Sequence, residues 1–387
     1  MLNVILASTG MVSIPPIVGG AIESYVSDVA TILSRDPQIH VTLVSNVRDG
    51  WTAANPAVAV LPSRSPLDRY PFQVSSGIGA HLLGGSLVWN SLRKHVDDHS
   101  ADAGQVVHIN EEVSGLLLSE MGPSIPTVIT MHNPPSDLTG TVYSSFERLL
   151  RWVDGRMYRR ILSRGKAHLI VQTNFLRNFV TDRWGVDTDR ITVLPPPLDT
   201  DLFCPPASSE PRKGLLFVGR LDVRKNVLTL LKVLRELPHD VPLTIVGRGP
   251  LLSEVGRSIE AGGLRSRINY WPYVTRSELI RLYQESQALV LPSHLETYGK
   301  VVVEAAACGT PTVLPDDPIY GDFIAGGFVT THSPGNVGEM HSAIEAILAN
   351  DAYRSALGRR GREFACSNCG HEGYGERLLS AYRKAIE

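Results

Sequence analysis

The chain has 387 residues, enough for two or three domains of ordinary size. Hydrophobic residues at 43% and charged residues at 20% match a packed globular protein and exclude wholesale disorder. With 37 basic and 39 acidic side chains the net charge is −2, so no global field gathers nucleic acid or an anionic membrane, and four cysteines exclude a disulfide scaffold.

The opening Met1-Leu2-Asn3-Val4-Ile5-Leu6-Ala7 lacks a basic lead, and its apolar run stops at Ser8-Thr9-Gly10, so it reads as a strand and not a signal peptide. No run approaches the roughly 18–20 apolar residues of a membrane span, and a reducing cytoplasm is the expected location. Apolar, β-branched runs predict strands over 4–7, 40–45, 57–61, 106–110, 127–132, 168–172 and 191–194. Helical spacing fills the gaps, as over 21–34 and 143–162. The segment from Pro195-Pro196-Pro197-Leu198-Asp199 to Pro211 is the densest proline region and cannot continue either element, which makes it the interdomain connection. Alternation then restarts with strands over 215–218, 243–246, 268–270, 288–291 and 312–314. Helices are expected over 227–237, 251–260, 277–285, 301–308 and 337–348. Strands apolar on both faces predict parallel sheets covered by helices, hence an α/β fold of two Rossmann-like domains with strand C-terminal ends facing a cleft.

Chemistry concentrates after three strands of the second half. Pro292-Ser293-His294-Leu295-Glu296-Thr297-Tyr298-Gly299-Lys300 runs from a buried strand into a helix that carries Glu304. Seven residues separate the glutamates, which puts them about 9–12 Å apart along the axis. That exceeds the ~5–9.5 Å of a glycosidase acid/base pair, so each would grip a different end of one elongated ligand through its hydroxyls. The amides at Tyr298, Gly299 and Lys300 open a helix, a ready anion site. Gly219-Arg220-Leu221-Asp222-Val223-Arg224-Lys225 repeats the strand–turn–helix pattern, and Arg220 with Lys225 would neutralise a diphosphate without metal. Gly247 and Gly249 after the next strand permit close backbone approach, as Gly19 and Gly20 do after the first strand of the chain.

Other patterns are weaker. His132 and Asp137 have an acyltransferase spacing that the double α/β alternation does not suit. The Asp187/Asp189 and Asp199/Asp201 pairs match metal-binding Asp-x-Asp by chance composition, and Cys366/Cys369 lacks the second pair a structural zinc needs. Neither Gly-x-Gly-x-x-Gly nor a Walker A loop is present. The arginines from 148 to 164 read as a solvated helix face in preference to a lipid-binding one.

The ordered set Gly19-Gly20, His108, His132, Gly219-Arg220 with Lys225, Gly247 and Gly249, and Glu296/Glu304 resembles the retaining GT-B glycosyltransferases of family 4 over nearly the whole chain. The resemblance implies that Glu296 and the Tyr298-Gly299-Lys300 backbone hold the donor hexose and Glu304 the ribose. It further implies that Arg220 and Lys225 hold the diphosphate with Gly20 approaching it, that Tyr273 and Val274 flank the nucleobase, and that His132 lies near acceptor and transferred sugar. The residues expected at the reacting centre are thus Arg220, Lys225, Glu296 and His132, with no resident cofactor or metal and UDP-glucose or UDP-N-acetylglucosamine as donor. The expected domains are 1–197, joined by the returning C-terminal helix 371–387, for the acceptor, and 198–370 for the nucleotide sugar. Where the family often carries Asn-Gly before the linker aspartate, this chain has Pro196-Pro197-Leu198, a departure that bears on the hinge.

Retention by front-face substitution, with the donor phosphate taking the acceptor proton, needs no protein nucleophile. The segment from Ile14 to Glu23 further resembles transferases that act on the aminocyclitol 2-deoxystreptamine in antibiotic biosynthesis, and a spore-coat relative. Glu111, Glu112 and Asp137 at strand ends would suit such a cationic acceptor, or would merely cap helices. The expected partners are therefore a nucleotide sugar and a small polar acceptor, with neither nucleic acid nor membrane. A UDP-sugar 2-epimerase and a non-catalytic sugar-nucleotide-binding or coat protein of the same fold stay open as alternatives.

Overall fold

In a computed structural model, described over residues 1–9, 14, 21–45, 47, 51–62, 78–99, 104–121, 125–132, 145–164, 167–207, 211–294 and 296–387, the chain forms two compact units. One comprises Met1–Pro197 with His371–Glu387, the other Leu198–Gly370.

The first unit holds seven strands: β1 (Leu2–Ala7), β2 (Ile39–Val44), β3 (Val58–Leu61), β4 (Gln105–Ile109), β5 (Thr127–Thr130), β6 (His168–Val171) and β7 (Ile191–Val193). They pair in parallel in the order β3-β2-β1-β4-β5-β6-β7. Strand β4 is buried at every position, as a central strand covered on both faces must be. The helix Tyr374–Ile386 packs on this unit, and Tyr374, Leu378 and Tyr382 join Val4, Leu6 and Val26 in its core.

The second unit holds β8 (Leu215–Val218), β9 (Leu243–Val246), β10 (Ile268–Trp271), β11 (Ala288–Val290), β12 (Thr312–Pro315) and β13 (Val329–His332), all parallel, in the order β10-β9-β8-β11-β12-β13. Its core gathers Phe217, Leu230, Leu234, Ile245, Val290 and Ile344. The helix Val227–Glu236 shows why: apolar residues at 227, 230, 231, 233 and 234 form one buried stripe.

Both sheets reverse their winding once, between β1 and β4 and between β8 and β11. At such a reversal the loops after the two central strands diverge to opposite faces and leave a crevice at the strands' C-terminal ends. Among the described residues no helix is long and apolar enough to cross a membrane.

Candidate functional site

In the second unit the crevice lies between the loop after β8 and the loop after β11. Asp222 organises the first loop: one oxygen accepts the Lys225 backbone N–H at 3.1 Å and the other accepts from Arg224 at 2.9 Å. Arg220 Nε stands 3.7 Å from the same carboxylate, with its side chain half-exposed. Asn226 then takes a left-handed conformation (φ 51°), which turns the chain sharply into the helix Val227–Glu236. The turn therefore gathers two guanidinium groups and one backbone N–H on one acid at the strand end. This side chain was absent from the sequence-based site, although Asp three residues before a cation is a recognisable turn pattern.

The two loops are joined. His294 N–H donates to the Arg224 carbonyl at 2.9 Å, and Lys225 Nζ makes an ion pair with Glu296, both side chains largely buried. The group expected on the diphosphate and the group expected on the hexose thus meet across the winding reversal. Gly299 (φ 88°) N-caps the helix Lys300–Ala307, so the positive end of that helix dipole lies at the loop after β11. Tyr298 is buried, with its hydroxyl 3.1 Å from Cys369 Sγ and its ring edge-on to Phe323, so only its backbone is available to a ligand. The Tyr320 ring flanks Gly299; burial pushes its hydroxyl pKa well up, and the neighbouring Glu296 charge adds to the rise.

Glu304 sits further along that helix, 8% exposed, and accepts from the Tyr283 hydroxyl at 2.9 Å. Tyr283 was missed in the sequence because it lies in the buried stripe of the helix Arg276–Glu285 and reads as core. Tyr273, 44% exposed, and the half-buried Val274 lie in the loop that links β10 to this helix.

Gly247 and Gly249 have a different immediate use from the one expected. A Cβ on Gly247 (φ 139°) would fall 2.0 Å from the Gly219 carbonyl oxygen, and one on Gly249 would fall 2.2 Å from that of Leu221. The close approach is thus made by the β8 loop, which crosses directly over both glycines, and it suffices to require them without a ligand.

In the first unit, His132 follows β5 and is engaged at both ring nitrogens. Asn110 donates its amide to the Ala7 carbonyl at 3.0 Å, so its oxygen accepts from His132 Nε2 at 3.0 Å, while Gln172 donates to Nδ1 at 3.3 Å. Burial pushes the imidazole down to about 3, so the ring is neutral at pH 7. A neutral ring bound on both sides is well suited to a positioning role. His108 is fully buried between the Tyr382 hydroxyl (2.8 Å) and the Thr130 hydroxyl (2.7 Å), a structural position.

Of the acidic residues expected at the acceptor, Glu111 takes the helix-capping alternative left open by the sequence. Glu111 accepts the Ser114 N–H at 2.6 Å and so caps the helix Glu112–Met121, whose first residue is the buried Glu112. Gly19, Gly20 and Asp137 lie outside the described residues. Asp187 accepts the Asp189 N–H and Asp199 accepts those of Asp201 and Leu202, so the first aspartate of each Asp-x-Asp pair caps a turn. Among the described residues no group of three or more His, Cys, Asp or Glu side chains is placed to hold a metal ion.

Comparison with known proteins places the chain among glycosyltransferase sequences. Residues 19–202 match the family model Glycosyltransferase Family 4, and residues 201–364 match Glycosyl transferases group 1. The chain is 32% identical over 227 residues to the D-inositol 3-phosphate glycosyltransferase of Xylanimonas cellulosilytica, covering 53% of this chain. That match spans 54%, about half, of the relative's length. Among solved structures, sucrose-phosphate synthase from Thermosynechococcus elongatus superposes with a TM-score of 0.78 at 20% identity over 99% of each chain. Anabaena HepE in complex with UDP-glucose superposes with a TM-score of 0.72 at 15% identity, over 98% of this chain and 99% of HepE.

Proposed function

The chain belongs to the group 1, family 4 glycosyltransferases of GT-B fold, and on that premise we propose that it moves a hexose from a UDP-sugar to a small cyclitol acceptor. The observation that carries the donor half is the Lys225–Glu296 ion pair across the winding reversal of the second unit. On this reading Lys225, Arg220 and the helix start at Gly299 would together offer positive charge to a departing nucleoside diphosphate, where catalytic electrostatics is most effective. Glucose or N-acetylglucosamine is the proposed hexose, supported by the UDP-glucose held by the structurally similar HepE.

For the acceptor, the named relative acts on a phosphorylated cyclitol, and the use of Glu111 as a helix cap removes a physical reason for a cationic one. The proposed acceptor is therefore an inositol phosphate in place of 2-deoxystreptamine. Transfer with retention by front-face substitution needs no nucleophile beyond the acceptor hydroxyl, and Glu296 orients the hexose once Lys225 turns to the diphosphate. Metal independence and a cytoplasmic location complete the proposal.

The test incubates the protein with UDP-glucose and UDP-N-acetylglucosamine, with and without D-inositol 3-phosphate, myo-inositol or 2-deoxystreptamine, in the presence of EDTA. UDP release that requires an inositol phosphate supports the reading. Release only with 2-deoxystreptamine restores the aminocyclitol acceptor. A donor isomer formed without acceptor would indicate an epimerase, and binding without turnover a non-catalytic protein.

A further inference from the structure

Glu304 is a carboxylate held almost out of water, on a helix of only eight residues. A buried carboxylate is stable as an anion only with hydrogen-bond donors aimed at it, and a two-turn helix cannot fix a glutamate rotamer alone. Tyr283, 0% exposed, donates its hydroxyl to Glu304 Oε2 at 2.9 Å. Its own backbone is clamped: the Tyr283 carbonyl accepts from Thr310 Oγ1 at 2.6 Å and from Arg212 Nη1 at 3.1 Å. Arg212 also donates to the Ser286 carbonyl at 3.2 Å and to the Cys308 carbonyl at 2.8 Å. One guanidinium thereby ties the end of the Tyr283 helix to the end of the Glu304 helix, and the hydroxyl–carboxylate distance is set by two rigid elements.

We propose that Tyr283 is a positioning residue for donor binding, its hydroxyl fixing the Glu304 carboxylate in the orientation that receives the nucleotide ribose. The inference rests on the reading that Glu304 accepts from the ribose. A purely apolar role is ill-matched by tyrosine here, because phenylalanine would fill the same space without a hydroxyl to satisfy. Burial first, and the Glu304 charge second, push the Tyr283 pKa well above its usual value, so the proton stays on tyrosine and the carboxylate is the acceptor. Tyr283 need not touch the nucleotide.

Titration calorimetry with UDP, and with its 2′,3′-dideoxyribose analogue, on wild type, Tyr283→Phe and Glu304→Ala tests this without knowledge of the acceptor. We expect Tyr283→Phe to weaken UDP binding about five- to tenfold, within the range of one ordinary net hydrogen bond. The dideoxy analogue is expected to bind wild type and Tyr283→Phe alike, since the ribose hydroxyls through which Tyr283 acts are gone. An unchanged UDP affinity in Tyr283→Phe, or an equal loss for both ligands, overturns the inference. If Glu304→Ala itself leaves UDP affinity unchanged, the ribose assignment of Glu304 has failed instead. Should Tyr283→Phe not fold, Thr310→Val loosens the same tyrosine by one bond, and an unchanged UDP affinity there overturns the inference equally.

Discussion

Lys225 and Glu296 neutralise one another, both largely withdrawn from water. On the proposed reading, a diphosphate at that spot would give Lys225 a second and stronger partner and leave Glu296 to the sugar hydroxyls. His132 has no comparable freedom, because Asn110 and Gln172 occupy its ring nitrogens and burial keeps it neutral. This predicts an order of effects. Arg220→Ala and Lys225→Ala are expected to lower kcat about 10²–10³-fold, the scale of a lost charge-stabilising group. His132→Ala is expected to lower it about tenfold or less, with much of the change in thermal stability. Steady-state kinetics with UDP-sugar at saturating acceptor checks the order, and a deeper loss for His132→Ala than for Lys225→Ala would return that histidine to the chemistry.

At the scale of elements, the loops after β8 and β9 are fitted to each other so closely that the site's shape depends on two glycines. A Cβ at Gly249 falls 2.2 Å from the Leu221 carbonyl oxygen, and the backbone must shift to admit it. Gly249→Ala is therefore expected to destabilise the second unit by about 1–3 kcal/mol and to weaken UDP binding, because Leu221 precedes Asp222 and the cations it gathers. Thermal melts with and without UDP measure both, and an unaltered melting temperature would contradict the packing described. Much of this scaffold was legible in the sequence, since a strand buried on both faces announces itself as an apolar run. Strands β8 and β9 were placed to the residue. Strand β13, Val329-Thr330-Thr331-His332, was missed because an edge strand that is half-exposed along most of its length needs no such run. The site divides in the same way. Arg220, Lys225, Glu296 and Glu304 stand in local patterns, whereas Tyr283 and Asn110 act through contacts 21 and 22 residues distant that no spacing rule reports.

Across the whole molecule, acid and nucleotide are expected to act on different units. His108 and His132, pushed down to about 3, and His168, pushed down to about 4, all lie in the first unit, with burial the leading cause in each. Each is neutral when folded but protonates near pH 6.5 when unfolded, so below that pH the unfolded chain binds protons the folded chain does not. Stability is therefore full above about pH 6.5 and falls as pH drops from 6.5 toward 4, by at most about 1.4 kcal/mol per pH unit for each histidine. His332, lowered mainly by burial, adds a smaller effect of the same sign in the second unit. UDP, by contrast, is expected to stabilise the second unit, by about 2.7 kcal/mol at a hundred times its Kd. Scanning calorimetry at pH 7 and pH 5, with and without UDP, separates the two effects, and a melting profile indifferent to pH between 7 and 5 would contradict the buried neutral histidines. The most direct test of the donor site itself is a crystal structure with an intact UDP-hexose. The account predicts the diphosphate against Arg220 and Lys225, the Lys225–Glu296 pair opened, the hexose on Glu296 and the ribose on Glu304. A nucleotide sugar bound away from the β8 and β11 loops, with that pair still closed, would contradict it.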